Sequence, residues 1–438
     1  MPKISPANQA MFILCTFSLC FFVITAATFN SLGVVIPFMV QELGWDWTIA
    51  GLGFTFLALA CGLSGYLPSI TIERYGVQNT LLLGLLILAL GFVTLALTKS
   101  PLTYCLGCIL LGVGYVFVGS VPGTYIITHF FVKRATAFGF YYTVGGLGGV
   151  AGPFIVWLAD GGLGNWRLHW MLTLGLMTFS VLLTLLALKF TDSERLRRPP
   201  VDEEREENAN PRVYQTKQTW SFKQALYCPQ YWIICAAYTS VLFVGTTVNS
   251  FSVSHLTQMG ISFGLASSLL SAEALCNSFS RVIGGVIAEY FEPKFMLCGS
   301  LLLLLLGMLS LSFASSNILL IGYALAIGFG FGMTFLACTV LLIRYFGSTP
   351  YLKLFATMNM FATVAAAAPF VCGALGDLTG SFVTPFLIIA ATPAIVLVLV
   401  VFMRPPHLAD ETETLAEITL PTEPTTAPDV QLHVAREA

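Results

Sequence analysis

Residues 11–40 read MFILCTFSLCFFVITAATFNSLGVVIPFMV, a stretch without a single charged side chain. A helix needs about 20 mainly apolar residues to cross the hydrocarbon core of a bilayer, because the core is about 30 Å thick and each residue rises about 1.5 Å. The stretch is longer than that minimum, so it predicts a membrane-spanning helix.

Eleven further segments have the same character, and we number the twelve predicted spans in chain order. The predicted spans are 11–40, 48–70, 79–98, 101–129, 135–158, 168–190, 229–259, 263–290, 294–314, 317–345, 352–377 and 380–403. They form two groups of six on either side of a polar segment. The predicted fold is an all-α membrane protein with twelve transmembrane helices in two six-helix pseudo-repeats.

The composition agrees with a chain that faces lipid. Of its 438 residues 56% are hydrophobic and 10% are charged, which excludes an enzyme whose whole exterior is wet. Fourteen of the 42 charged residues lie in 191–227 and nine in 404–438. A net charge of -2 provides no basic field for nucleic acid, so the expected partner is the lipid bilayer.

The chain divides into four predicted regions. Residues 1–190 and 229–403 are the two six-helix halves. Residues 191–228 are a cytoplasmic linker with balanced charge, predicted to be partly disordered or lightly helical. Residues 404–438 are an acidic cytoplasmic tail rich in Thr and Pro, predicted to be disordered, with a docking site for a partner as the alternative.

The distribution of Lys and Arg predicts the orientation. With both termini in the cytoplasm, 17 of the 20 basic residues lie on the cytoplasmic side, Lys99 and Arg167 lie outside, and Arg281 lies within a span. Cytoplasmic loops of membrane proteins carry the excess of positive charge. We therefore expect a multi-pass protein of the cell (inner or plasma) membrane.

An internal repeat links the two halves. A shift of 216 residues places Gly112 and Gly114 on Gly328 and Gly330, and Pro153 on Pro369. The same shift places Glu73 on Glu289. A repeat of six spans is typical of transporters built from parallel repeats.

These features resemble the major facilitator superfamily over residues 10–403. Its monocarboxylate transporter and oxalate-formate antiporter branch is similar in several short stretches of the chain. They are Leu43-Gly44-Trp45, Phe130-Phe131 with Lys133-Arg134, Tyr345-Phe346-Gly347 and Gly376-Asp377-Leu-Thr379-Gly380-Ser381. The resemblance implies a cytoplasmic gate at Glu73 and Arg74 and an anion-binding Arg in span eight, which is Arg281.

The chain also departs from the family pattern. In the loop after span two, Ser69 replaces the usual Gly and Val77-Gln78 replaces the final basic pair. Span one lacks the Lys of the animal carriers, and Asn277 stands where they carry an Asp. Lys353 lies at the entry of span eleven, whereas the oxalate carrier has a Lys inside that span.

Span eight carries charges that need a reason, because a charged side chain at the bilayer centre costs about 2.5 to 3.5 kcal/mol on insertion scales. Glu273, Asn277 and Arg281 are spaced i, i+4 and i+8, so they share one helical face. Lipid cannot solvate that face, and we expect it to line a cavity.

Arg281 and Glu273 each have two possible roles. The planar guanidinium of Arg281 suits bidentate pairing with a carboxylate; the alternative is an ion pair with Glu273, about 12 Å away along the helix axis. An apolar surrounding disfavours a charged carboxylate, which makes Glu273 the candidate proton-coupling residue. The alternative places Glu273 in the outer vestibule.

Uncharged polar residues complete the predicted substrate site. They lie near mid-depth in spans one, four, five and seven and are Asn30, Tyr115, Tyr142 and Asn249. A few placed donors in an apolar cavity suit a small organic anion. Each of these side chains also has a simpler alternative role, a hydrogen bond between helices.

The function that follows is secondary active transport of a small organic monocarboxylate, aliphatic or ring-bearing, with proton-coupled uptake by alternating access. One intramembrane cation favours one carboxylate. An organic anion exchanger is the alternative, and a transporter-like sensor is less favoured. Nucleophile-elbow, zinc-protease and phosphate-loop motifs are absent from the sequence, so we expect no enzyme. We expect no cofactor or metal, and a monomer.

Overall fold

The structure is a computed structural model that describes residues 6–131, 134–162, 164–189, 214–216, 218–347 and 349–407. The predictions for linker residues 191–213 and tail residues 408–438 lie outside these ranges. Residues up to Arg404 belong to one structural unit, and a second unit begins at Pro405. Within the described ranges the chain is helical, and we find no β-strand there.

The first half consists of six spans with short irregular turns. Spans two, three and six are the helices Trp47–Ser64, Leu67–Ala96 and Arg167–Lys189. Span one consists of Pro6–Thr25, a π-helical turn and Ser31–Leu43; span four of Pro101–Tyr115, a π-helical turn and Val121–Phe130; and span five of Arg134–Trp157 and a terminal π-helical turn.

The second half repeats this arrangement. Spans seven to ten are the helices Pro229–Gln258, Phe263–Tyr290, Pro293–Ser312 and Asn317–Phe346. Span eleven is divided by a 3₁₀ turn into Tyr351–Ala362 and Ala368–Thr379, and span twelve is Val383–Phe402. The prediction of twelve spans in two six-helix halves is confirmed.

Span eight differs from the other spans in its polarity. Eleven helices among the described residues are long and apolar enough to cross a membrane, and Phe263–Tyr290 is not one of them. Its 28 residues are sufficient in length, but Glu273, Asn277 and Arg281 lower its hydropathy. The span that most resembles a soluble helix is therefore the one with the predicted site.

The connection between spans two and three differs from the predicted boundaries. Span two ends at Ser64, and the next helix begins at Leu67, within the region predicted as the end of span two. Gly76 has φ of 83°, a conformation that favours glycine, and it kinks this helix after the segment with Glu73 and Arg74. Hydropathy predicted the helix only from residue 79 on, because the earlier segment with Glu73 and Arg74 is not apolar.

The internal repeat appears directly in the helix packing. A Cβ atom on Gly112 would lie 2.3 Å from the Leu57 carbonyl oxygen, and one on Gly328 would lie 2.5 Å from the Glu273 carbonyl oxygen. Both pairs are related by the shift of 216 residues. Small residues allow such close approach of helix backbones, so the two halves use the same contact between their second and fourth spans.

A second pair of contacts obeys the same shift. Gly114 approaches the side chain of Leu88, and Gly330 approaches Leu304. Ser100 and Ser316 both accept a hydrogen bond from the backbone N–H three residues later, which caps spans four and ten. The six-helix pseudo-repeat is therefore a repeat of packing and capping as well as of sequence.

The two halves meet tightly at one end of the bundle, which we call the Asp377 end. The Asp377 carboxylate accepts hydrogen bonds from the backbone N–H groups of Trp47 and Thr48 at 3.0 and 2.8 Å. A Cβ on Gly51 would lie 2.2 Å from the Pro369 carbonyl oxygen. Spans two and eleven are thus in backbone contact there.

The described end of the linker packs on the second half. The Tyr214 N–H donates to Glu292 Oε1 at 2.8 Å, and the Thr216 N–H donates to the Arg344 carbonyl at 2.9 Å. A short helix, Phe222–Tyr227, follows and begins with a capping box at Ser221. These residues lie at the end of the bundle opposite Asp377, which we call the linker end.

Candidate substrate site

One face of span eight points into the bundle, as its spacing predicts. Glu273 is only 5% exposed, whereas Asn277 and Arg281 are half-buried. The other face is apolar and exposed at positions that include Leu275, Phe279, Val282 and Val286. This division is the one required when only one side of a helix contacts lipid.

Arg281 lies where both halves contribute side chains. Its Nε donates a hydrogen bond to Asn277 Oδ1 at 3.4 Å, and its guanidinium carbon lies 5.2 Å from the centre of the Phe335 ring. It also interacts electrostatically with the hydroxyl groups of Tyr142, Tyr115 and Tyr238. The cation therefore lies in the electrostatic range of three phenol groups, of which Tyr238 donates its own hydrogen bond to Asn359.

Arg281 does not form a direct ion pair with Glu273. Within the described part of the chain, the one ion pair within 4 Å is Arg167 with Glu42, at 2.5 Å and near the Asp377 end. Arg281 and Glu273 are two helical turns apart and interact only over a distance. Because no carboxylate contacts it, the guanidinium retains donors for a ligand.

Glu273 lies deeper than Arg281, closer to the Asp377 end. Gly328 of span ten packs on its backbone. Its carboxyl group interacts with the hydroxyl of Tyr323, and Tyr323 interacts with the hydroxyl of Ser252. The Tyr323 and Ser252 hydroxyls have no hydrogen bond of normal geometry. Glu273 is thus buried and interacts electrostatically with one hydroxyl of span ten.

Asn30 and Asn249, predicted separately, contact each other. Asn30 Nδ2 donates to Asn249 Oδ1 at 3.3 Å, which joins spans one and seven. Asn30 ends the π-helical turn Ala26–Asn30, and a Cβ on Gly33 would lie 1.7 Å from the Asn249 carbonyl oxygen. This pair matches the alternative predicted for it, a hydrogen bond between helices, and it bridges the two halves.

Tyr115 and Tyr142 face Arg281 from the first half. Tyr115 immediately precedes the π-helical turn of span four, a distortion that is common at functional sites. Both rings pack edge-to-face on Phe21, at centroid distances of 6.0 and 5.9 Å. Both side chains remain half-buried, so they have one packed side and one accessible side.

Two residues near Arg281 were missed from the sequence. Tyr238 of span seven donates a hydrogen bond to Asn359 Oδ1 at 2.9 Å and faces the guanidinium. Phe335 contacts the guanidinium face, but nothing distinguishes it among 35 Phe residues. Tyr238 and Asn359 are polar residues within apolar spans seven and eleven, and this polarity could have identified Tyr238 from the sequence.

Glu73 and Arg74 lie apart from the other predicted residues, at the linker end. Both are exposed, and the Arg74 guanidinium carbon lies 5.4 Å from the Tyr75 ring centre. Glu73 lines a small pocket together with residues of span four, among them Val121, Thr124 and Tyr125. They occupy the rim of the bundle, away from Arg281.

Comparison with known proteins establishes the family. The model of the Major Facilitator Superfamily matches residues 17–256 and 234–430. The chain therefore belongs to this superfamily, whose members carry small solutes across membranes, and the superfamily resemblance is confirmed. A search of curated proteins found no match, and the monocarboxylate and oxalate-formate branch stays a prediction.

Solved structures share the fold. A mutant of the nucleoside transporter NupG has 14% identity and a TM-score of 0.67 over 89% of this chain and 99% of its own. A bacterial homologue of the human lysosomal transporter Spinster, inward-facing and unoccupied, has 16% identity and a TM-score of 0.65 over 92% of this chain and 96% of its own. Its occupied form has 17% identity and a TM-score of 0.64. At these identities the likeness concerns the fold alone.

Proposed function

We propose that the chain is a secondary active transporter of a small organic monocarboxylate and that it couples uptake to protons by alternating access. The observation that carries the proposal is Arg281, a cation inside the bundle that has no carboxylate partner among the residues that the structure describes. A buried unpaired charge is costly, and a substrate carboxylate would compensate it with two parallel hydrogen bonds.

The surrounding groups favour a single carboxylate. Tyr115 and Tyr142 have hydroxyl groups that interact with Arg281, and these hydroxyl groups are neutral. A dicarboxylate would leave its second charge without a cationic partner. Asn277 holds the Nε side of the guanidinium, so the two terminal nitrogens are the groups that would bind the substrate.

Glu273 supports proton coupling. It is buried on the inner face of span eight, and burial favours the neutral form of a carboxyl group. Arg281 favours the charged form until a substrate anion compensates the guanidinium. Substrate binding and protonation of Glu273 would then assist each other, and the neutral assembly could reorient.

The orientation, gate and setting are part of the proposal. Arg74, Lys294, Arg344 and Lys353 all lie at the linker end of their helices, whereas Lys99 and Arg167 lie at the Asp377 end. The positive-inside rule makes the linker end cytoplasmic, with Glu73 and Arg74 as its gate. We propose a monomer in the cell membrane with both termini inside.

Uptake of labelled carboxylates into proteoliposomes tests the proposal. We expect accumulation that requires an inward proton gradient and is accompanied by acidification of the lumen. Uptake that occurs only into vesicles preloaded with another anion would identify an exchanger. Absence of uptake for all carboxylates, from a protein that is correctly inserted, would overturn the proposal.

A further inference from the structure

We propose that the substrate is an aromatic monocarboxylate, with its carboxylate on Arg281 and its ring between the aromatic side chains that surround Arg281. This inference rests on the proposed function and specifies its substrate class. We call these side chains the aromatic walls, and they are Phe29, Tyr115, Tyr142, Tyr238, Phe335 and Phe355.

The aromatic walls come from both halves of the bundle. Phe29 and Tyr115 meet edge-to-face at a centroid distance of 5.5 Å in the first half. Tyr238 contacts Phe335 at 5.3 Å and Phe355 at 6.2 Å in the second half. Arg281 lies over Phe335 of the second half and interacts electrostatically with Tyr115 and Tyr142 of the first, so both walls border the site of Arg281.

Five of the six rings of the walls are partly accessible, whereas Tyr238 is 3% exposed. Phe29, Tyr115, Tyr142, Phe335 and Phe355 are half-buried. Rings that only pack helices together are enclosed, as Phe92, Tyr104 and Trp170 are, each at most 1% exposed. The accessible rings lie around an inward-facing cation, so a ligand bound to Arg281 would contact them.

An aromatic ring suits these walls better than an aliphatic chain does. Aromatic pairs gain from edge-to-face or offset stacking beyond the area that they bury. The edge of the Phe335 or Tyr142 ring can contact the face of a substrate ring, and the face of either side chain can contact the edge of the substrate ring. The guanidinium already lies over Phe335 at 5.2 Å, so a carboxylate on Arg281 would hold an attached ring beside the wall.

A panel of competitors tests the substrate class. Benzoate, phenylacetate, cyclohexanecarboxylate, butyrate and lactate are each added to proteoliposomes, and both their own uptake and their competition with labelled benzoate are measured. Cyclohexanecarboxylate matches benzoate in size and charge but has no aromatic ring. We expect benzoate or phenylacetate to bind about tenfold better than cyclohexanecarboxylate, a factor that corresponds to about 1.4 kcal/mol.

A variant locates the effect in the walls. Phe335→Leu removes a ring next to Arg281 but retains an apolar side chain, and we expect the preference for benzoate over cyclohexanecarboxylate to fall to about twofold, because most of the aromatic contact is lost. Phe179→Leu is the matched control. Phe179 lies on span six and is 63% exposed, so its replacement should leave the preference unchanged.

The outcomes separate this inference from the proposed function. Transport of lactate or butyrate with no advantage for the aromatic acids would overturn the substrate class and leave monocarboxylate transport intact. Equal binding of benzoate and cyclohexanecarboxylate would show that size alone matters, which also overturns the inference. Failure of every carboxylate would overturn the proposed function itself.

Discussion

The two halves share their packing but differ in the side chains that the packing presents. Span two carries Leu57, Cys61 and Gly65 at the positions that correspond to Glu273, Asn277 and Arg281 of span eight. The backbones meet the fourth span of each half in the same way, at Gly112 and Gly328. The packing is therefore symmetric, and the charged residues of the candidate site, Glu273 and Arg281, lie in the second half only.

The first half makes a different contribution to the site. Tyr115 and Tyr142 correspond to Phe331 and Met358 in the second half. The first half thus supplies neutral hydroxyls opposite the cation of the second. A ligand that contacts both would lie between the two halves, which is the arrangement that alternating access requires.

The largest expected effect follows from removal of the cation that distinguishes the halves. Arg281→Ala should lower carboxylate uptake by at least about 30-fold, which corresponds to about 2 kcal/mol for a lost charged hydrogen bond. The uptake rate of Arg281→Lys should lie between those of the wild type and Arg281→Ala, because lysine keeps the positive charge but lacks the planar guanidinium group. Initial uptake rates in proteoliposomes measure both effects.

The control for this series is Arg404→Ala, since Arg404 is exposed at the end of span twelve. It should transport at the wild-type rate. Wild-type uptake by correctly inserted Arg281→Ala protein would disprove the role of Arg281 as the carboxylate ligand.

The next effect concerns Glu273, which occupies the position of Leu57 in the repeat. Glu273→Gln should exchange labelled substrate within about twofold of the wild-type rate, because neutral Gln resembles the protonated carboxyl group. Accumulation driven by a proton gradient should fail. For the wild type we expect faster uptake as the external pH falls, and the variant should lose this dependence.

Asp46→Asn is the matched control for Glu273, because Asp46 is an exposed acid at the start of span two. It should keep the proton-driven accumulation. If Glu273→Gln accumulates substrate normally, the proton is carried elsewhere.

A smaller effect on transport and stability should follow when the glycine contact between the second and fourth spans of each half is disturbed. Gly112→Ala and Gly328→Ala would both place a Cβ atom within 2.5 Å of a backbone carbonyl oxygen, and overpacking costs about 1 to 3 kcal/mol. We expect similar losses of thermal stability in detergent. Transport should fall more in Gly328→Ala, since only this change displaces Glu273.

Gly139→Ala supplies the baseline, because nothing lies within 4 Å of the added atom. It should leave the unfolding midpoint unchanged or slightly raised. Equal transport by the Gly112→Ala and Gly328→Ala variants would contradict a functional difference between the halves.

The smallest effect is expected at the contact that holds the halves together. Asp377 accepts two backbone hydrogen bonds from the first turn of span two, and loss of a helix cap costs about 0.5 to 2 kcal/mol. Asp377→Ala should lower the thermal stability by that amount. Asp46→Ala should have no such effect, because the Asp46 side chain makes no capping hydrogen bond. Equal losses in both variants would show that Asp377 does not act as a cap.

The sequence predicted the spans because the bilayer imposes a length and an apolar composition on every helix that crosses it. It also identified the polar face of span eight, since the period of a helix places Glu273, Asn277 and Arg281 on one side without knowledge of any neighbour. The correspondence of Gly112 and Gly328 in the repeat indicated that the fourth and tenth spans are equivalent. The structure shows that each glycine contacts the second span of its own half.

Other features depended on the tertiary structure. The helical segment with Glu73 and Arg74 is not apolar, so hydropathy did not reveal it. The bond between Asn30 and Asn249 joins residues far apart in the chain, and neither side chain indicates its partner.

The order of apolar segments along the sequence by itself determined a twelve-span membrane protein of two repeated halves, because lipid leaves few alternatives to apolar helices. Only the tertiary structure decided which residues surround Arg281. Tyr238 and Phe335 lie on different spans, and their position beside the guanidinium follows from how helices pack, which local periodicity does not encode. Hydropathy acts on one segment at a time, whereas a binding site is formed by several segments together.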